Sequence, residues 1–87
     1  MNTWEHATVS AVSTSKSGMV ELHTAAGTSF LDMDGADPRR VMAALNTLSA
    51  EDGWEVVAAT RLERSAGTWS TDYLLRRRST RGEVHVY

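Results

Sequence analysis

The residues best suited to chemistry in this chain are arginines, and they crowd toward its C-terminal end. Arg61, Arg64, Arg76, Arg77, Arg78 and Arg81 lie in residues 61–87 with three acids, whereas residues 1–60 carry three basic and eight acidic side chains. A guanidinium offers a planar fork of donors that matches phosphate or carboxylate. Arg76 and Arg78 share one strand parity and Arg77 takes the other. Arg61 belongs to the partner strand of the same hairpin. With Arg61 set near Arg76, the two form a bidentate clamp, and Trp69 or Tyr73 stacks a base beside it. Arg61, Arg76, Arg78, Trp69 and Tyr73 are therefore the candidate ligand-binding residues. A nucleotide or single-stranded nucleic acid is the ligand class they suit. The competing reading is that arginine simply solvates strand ends and a tail. The net charge of −2 weighs against a dedicated nucleic-acid binder.

Other chemistries find less support. Ser, His and Asp are present, but no nucleophile sits in a recognisable turn motif of the kind a hydrolytic triad needs. His6, His23 and His85 are far apart, without metal-ligand spacing. The run Asp32-Met33-Asp34-Gly35-Ala36-Asp37 hints at a calcium loop. Its glycine comes too early, and the twelfth position from Asp32 is Ala43, where a bidentate acid is required. It reads as a turn followed by a helix cap. No glycine-rich phosphate loop occurs. The chain has no cysteine, which removes disulfides, thiolate metal sites and cysteine nucleophiles, and which fits a reducing compartment. No catalytic residue, metal or cofactor is assigned, and the chain is expected not to be an enzyme.

The elements that must position these residues follow from periodicity. Thr3–Ser13 mixes Thr, Val and Ala without a helical stripe and reads as a strand. Ser13–Gly18 is a polar turn cluster. Met19–Thr24 alternates, with Val20 and Leu22 on one face. Ala25-Ala26-Gly27 closes a hairpin, and Thr28–Met33 is a third strand around Phe30. Asp37 before Pro38, the only proline, marks a helix start. Val41, Leu45 and Leu48 form its apolar stripe, with Met42 and Ala44 beside them, and it should end near Glu51, before Gly53. From Trp54 to Leu62 alternation places Trp54, Val56, Ala58 and Leu62 on one face and Val57, Ala59 and Arg61 on the other. Ser65-Ala66-Gly67 turns the chain into a strand bearing Trp69, Thr71, Tyr73 and Leu75.

The order is β-β-β-α-β-β, and tight turns make the sheet antiparallel. The expected fold class is therefore α+β, an antiparallel sheet of about five strands with one helix packed on one face. Residues 1–78 form a single domain. Residues 79–87 are a polar tail, in which Glu83–Tyr87 has the character of a short extra strand. At 87 residues the chain builds one thin core, and dimerisation is an ordinary way to add burial. The second sheet face, holding Val57, Ala59 and Leu74, or a sheet edge, is expected to make a homodimer. No apolar run reaches the ~20 residues of a membrane span, and Met1–His6 lacks the basic start of a signal peptide, so the expectation is a cytoplasmic protein without membrane contact. The absence of isoleucine, the single Lys16 and the eight arginines suggest G+C-rich coding, in a bacterium or its phage.

Leu45-Asn46-Thr47-Leu48-Ser49-Ala50-Glu51-Asp52-Gly53-Trp54-Glu55-Val56-Val57 resembles the L-N-x-L-G-x-E-G-W-E-L-V motif of a family of small bacterial and phage domains of unknown function. Trp4-Glu5-His6 is similar to the family's opening W-E-Y, and Tyr73-Leu74-Leu75-Arg76-Arg77 to its closing strand. Ser49 stands in place of the motif glycine, His6 in place of tyrosine, and Asp52 is one residue extra. The resemblance implies architecture and no settled activity. In physical terms, Gly53 suits a left-handed helix end and Trp54 a large ring buried beneath the helix. The function expected from these readings is a non-catalytic protein-interaction or regulatory module, homodimeric and open to a further protein partner. The alternative is a binder of an anionic small molecule, such as a phage protein that sequesters a signalling nucleotide.

Overall fold

A computed structural model describes residues 3–79. Five strands form one antiparallel sheet: β1 (Trp4–Ser13), β2 (Gly18–Thr24), β3 (Gly27–Asp32), β4 (Glu55–Ser65) and β5 (Thr68–Arg78). A single helix, α1 (Pro38–Asp52), intervenes between β3 and β4. The strands lie in the order β3-β2-β1-β5-β4, which makes β1 central and leaves β3 and β4 as the edges. The five strands, the antiparallel pairing and the single helix agree with the expected α+β fold. The strand character read into Glu83–Tyr87 lies outside the described residues. Ser79 donates its backbone N–H to the Thr3 carbonyl at 2.9 Å, just beyond the last β1–β5 pair.

The core occupies the helix side of the sheet. Alternation along β1 sends Ala7, Val9 and Ala11 to that side, where Val20 of β2 and Leu75 of β5 stand opposite them in register. Val41 and Leu48 close the core from the helix, and Trp54 enters it from the connection to β4. The other sheet face is polar near its centre. Ser10 and Ser70 are nevertheless buried there, and the Arg64 guanidinium lies over Ser70 with Nε 2.9 Å from Oγ.

Both ends of α1 are set by local chemistry. Asp37 is extended, and its Oδ1 accepts the N–H groups of Arg39 and Arg40 at 3.0 and 3.1 Å, with Pro38 opening the first turn. Gly53 has φ +73°, and its N–H reaches the Ser49 carbonyl at 3.2 Å, ending the helix in a left-handed cap. Asp52 is the last helical residue, one beyond the expected Glu51. Close approach explains Gly18. A methyl group there would sit 2.8 Å from the Ala36 backbone nitrogen, where the chain enters the helix.

One expectation needs correction. A register shift at Val57 interrupts the simple alternation of β4. Val56 stands opposite Leu75 on the helix side, but the extra residue then moves Ala59 (opposite Tyr73) and Arg61 (opposite Thr71) to that side as well. Ala58 and Leu62 face the other way, opposite Leu74 and Ser70. Ala59 therefore does not share the outer face with Leu74, and Val56 does not share a face with Ala58 and Leu62.

Candidate interaction surface

The helix leans toward β2 and β3 and leaves β4 uncovered. All eleven residues of β4 are exposed, including Val56, Val57 and Leu62. As an edge strand it also presents an unpaired row of backbone N–H and C=O groups. Its stretch Val56-Val57-Ala58-Ala59-Thr60 holds no charge, no lysine and no proline, the residues that commonly blunt an edge. The opposite edge, β3, is six residues long and joined to the helix by side chains. There Arg40 Nη1 donates to both Asp32 oxygens at 3.1 and 2.9 Å, and Arg40 Nε lies 3.3 Å from Asp37. This ion-pair strap occupies the segment whose acids suggested a calcium loop.

Between α1 and the β4–β5 hairpin runs a shallow groove made of two adjoining hollows. One, about 330 Å³, is lined by Met42, Leu45, Trp54, Val56 and Leu75. The other, about 320 Å³, is lined by Val41, Met42, Arg61, Thr71 and Tyr73. Met42 is 60% exposed, because the helix face that carries it looks into this groove and away from the core.

The five candidate ligand residues divide into two groups on opposite sheet faces. Arg61, Trp69 and Tyr73 lie on the helix side, with the Arg61 guanidinium 5.1 Å from the centre of the Trp69 ring and Nη1 3.5 Å from Thr71 Oγ1. Arg76 and Arg78 lie on the other face and flank the Trp4 ring at 4.3 and 5.4 Å. The clamp of Arg61 with Arg76 does not form: Arg61 stands opposite Thr71, Arg76 opposite Glu55. Their positions along β5 are five residues apart, about 16 Å at strand spacing. Arg76 is in addition ion-paired with Glu55.

Arg77 has a role that spacing alone does not reveal. It stacks 4.2 Å from the centre of the Trp54 ring, takes Glu5 with Nε and Nη2 at 3.2 and 3.1 Å, and donates from Nη1 to the Asp52 carbonyl at 3.1 Å. It thus ties β1, β5 and the carbonyl end of the helix together, where a cation also favours the helix dipole. The sequence signal for it was the Trp4-Glu5 and Arg76-Arg77 pairs, which antiparallel register places side by side. His23 lies within 3.2 Å of Glu21 and 3.0 Å of Thr28 Oγ1, an ordinary surface hydrogen-bonding position. Among the described residues no group of three His, Asp or Glu is placed to hold a metal ion. No helix among them is long and apolar enough to cross a membrane.

No family model, curated protein or solved structure matches this chain.

Proposed function

We propose that this protein is a non-catalytic interaction module of the cytoplasm that self-associates through the uncovered half of its sheet. The observation that carries the reading is β4: an edge strand exposed along its whole length, apolar at Val56–Ala59, beside an open groove. A long edge left free, with an uncharged stretch from Val56 to Thr60, is a template for pairing with another strand, and a specific partner is one way to satisfy it. The lack of cysteine suits a reducing compartment. Membership of the bacterial and phage domain family is part of the same reading. Its support is that Gly53 and Trp54 of the motif supply the helix cap and a core ring.

Sedimentation over a wide concentration range tests it. The expected result is a dimer whose dissociation is driven by Leu62→Lys, a lysine placed on the strand edge, with an unchanged circular dichroism spectrum. A wild-type chain that stays monomeric at high micromolar concentration overturns the reading.

A second reading has one observation in its favour. Arg61 has no carboxylate within ion-pair distance among the described residues, and it lies over Trp69 with Thr71 and Tyr73 beside the same hollow. This arrangement suits a small anionic ligand with a planar ring. Titration calorimetry with a panel of nucleotides tests it. Saturable binding lost in Arg61→Ala supports it, and binding retained in that variant removes this site.

A further inference from the structure

We infer that the strand that pairs with β4 is β4 of a second copy, antiparallel about a two-fold axis at Leu62, so that Arg61 of each copy faces Glu63 of the other. This rests on the self-association reading and names its geometry.

The charges on β4 lead to it. Glu55 is paired with Arg76, and Arg64 reaches Ser70 and Asp72. Arg61 and Glu63 form no ion pair among the described residues, although both lie on the helix side, opposite Thr71 and Trp69. They are two positions apart on the same face of the same free edge.

Symmetry then restricts the register. A two-fold that continues an antiparallel sheet stands perpendicular to it, so opposed residues must share a face. Faces alternate along a strand, so the axis passes a residue and never the midpoint between two. The regular part of β4 runs from Ala58 to Glu63, between register shifts at its two ends. An axis at Arg61 or Glu63 sets a charge opposite its own copy. An axis at Thr60 sets Arg61 opposite Ala59 and leaves both charges unpaired. Axes at Ala58 or Ala59 set Arg61 opposite Glu55 or Val57, across the bulge at Val57, whereas the positions opposed nearest a Leu62 axis, Arg61 to Glu63, lie short of the second shift at Arg64. An axis at Leu62 places two Arg61–Glu63 pairs on the helix side, one on each side of the axis. It also brings the two Leu62 side chains, each 40% exposed in the single chain, together on the other face. Both helices then lie on one side of a ten-stranded sheet, and the two grooves open toward each other above β4.

Two measurements test this in the intact chain. The first is sedimentation equilibrium at low salt on Arg61→Glu, Glu63→Arg and the double reversal. Each single reversal turns two attractive contacts into two repulsive ones and is expected to weaken the dimer about tenfold or more. The double reversal restores the pairs and is expected to recover most of the wild-type affinity. The second uses the absence of native cysteine. Opposed residues across such a pair have Cα atoms about 4.5–5.5 Å apart, within disulfide range. Under mild oxidation Leu62→Cys is expected to form a disulfide-linked dimer faster than Thr60→Cys or Ala58→Cys. A wild-type monomer overturns both the self-association and this geometry. A dimer that is indifferent to the charge reversals, or that cross-links fastest at Thr60 or Ala58, overturns the Leu62 axis and leaves self-association standing.

Discussion

β1 and β4 are long antiparallel strands that flank β5, one on each side, and they are held in place by different forces. β1 has a neighbour on both sides, and its Ala7, Val9 and Ala11 are buried under the helix. β4 has one neighbour and no buried residue. The first strand is held by the core, the second by a hydrogen-bonded ladder and by cross-strand contacts such as Arg61 on Trp69 and Arg76 with Glu55. The comparison teaches that β-branched and apolar residues do not all serve the same purpose. Val9 and Val20, fully buried, stabilise the monomer by removing apolar surface from water. Val56, Val57 and Leu62, 40–47% exposed, remove less in the single chain.

The sharpest way to break the comparison is to truncate one side chain of the core that buries β1 and one of β4. Leu75 is 1% exposed and stands between Ala7 and Val56, so Leu75→Ala should cost roughly 2–5 kcal/mol by leaving a cavity. Val57, at the bulge and 42% exposed, should cost no more than about 0.5 kcal/mol when changed to alanine. Urea unfolding, at a concentration low enough to keep the chain monomeric, reads both. Equal losses would mean that β4 is held by the core after all.

A smaller effect isolates the covered half. Asp37 accepts two N–H groups at the start of α1, and Asp37→Ala should destabilise the chain by about 1 kcal/mol. Asp37→Asn should keep most of that, since an amide oxygen accepts the same bonds. If the two variants unfold at the same urea concentration, the cap does not hold the helix over β2 and β3.

The covered half was also the more legible one in the sequence. Asp37-Pro38 and Gly53 announced the helix ends because capping is local chemistry, decided within a few residues. Val20 and Leu22 announced a half-buried strand by alternation. The uncovered half failed at one residue. The bulge at Val57 has no glycine or proline to mark it, and a single extra residue moves every later side chain to the other face. The candidate arginines divided for a related reason. Their spacing fixed the opposite parities of Arg76 and Arg77. Whether Arg61 meets Arg76 depends on where the hairpin turns, and the turn at Ala66-Gly67 sets Arg61 opposite Thr71. Glu63 went unremarked because a lone acid on a strand carries no motif. Its interest appears only when register shows it on the face of Arg61 with no ion-pair partner among the described residues.

The smallest expected effect concerns the two edges. β3 is strapped to the helix through Asp32 and Arg40, and β4 has no equivalent tie to the helix among the described residues. The Asp34 backbone N–H, 2.9 Å from Asp32 Oδ1, and then the Arg40 guanidinium hold the Asp32 carboxyl below the ordinary aspartate value of 3.8. The unfolded chain therefore takes up this proton more readily than the folded one. The strap's contribution is complete above pH 3.8 and is lost as the pH falls through the lower folded value. Because the site is open to solvent, salt should screen the charge-dependent part of this contribution. Urea midpoints measured from about pH 5 down to about pH 2 at low salt should fall more steeply for wild type than for Asp32→Asn, which has no proton to gain. Adding salt should narrow the gap. Parallel curves for the two proteins would show that β3 needs no strap, and that the two edges differ only in length and in the apolar residues β4 displays.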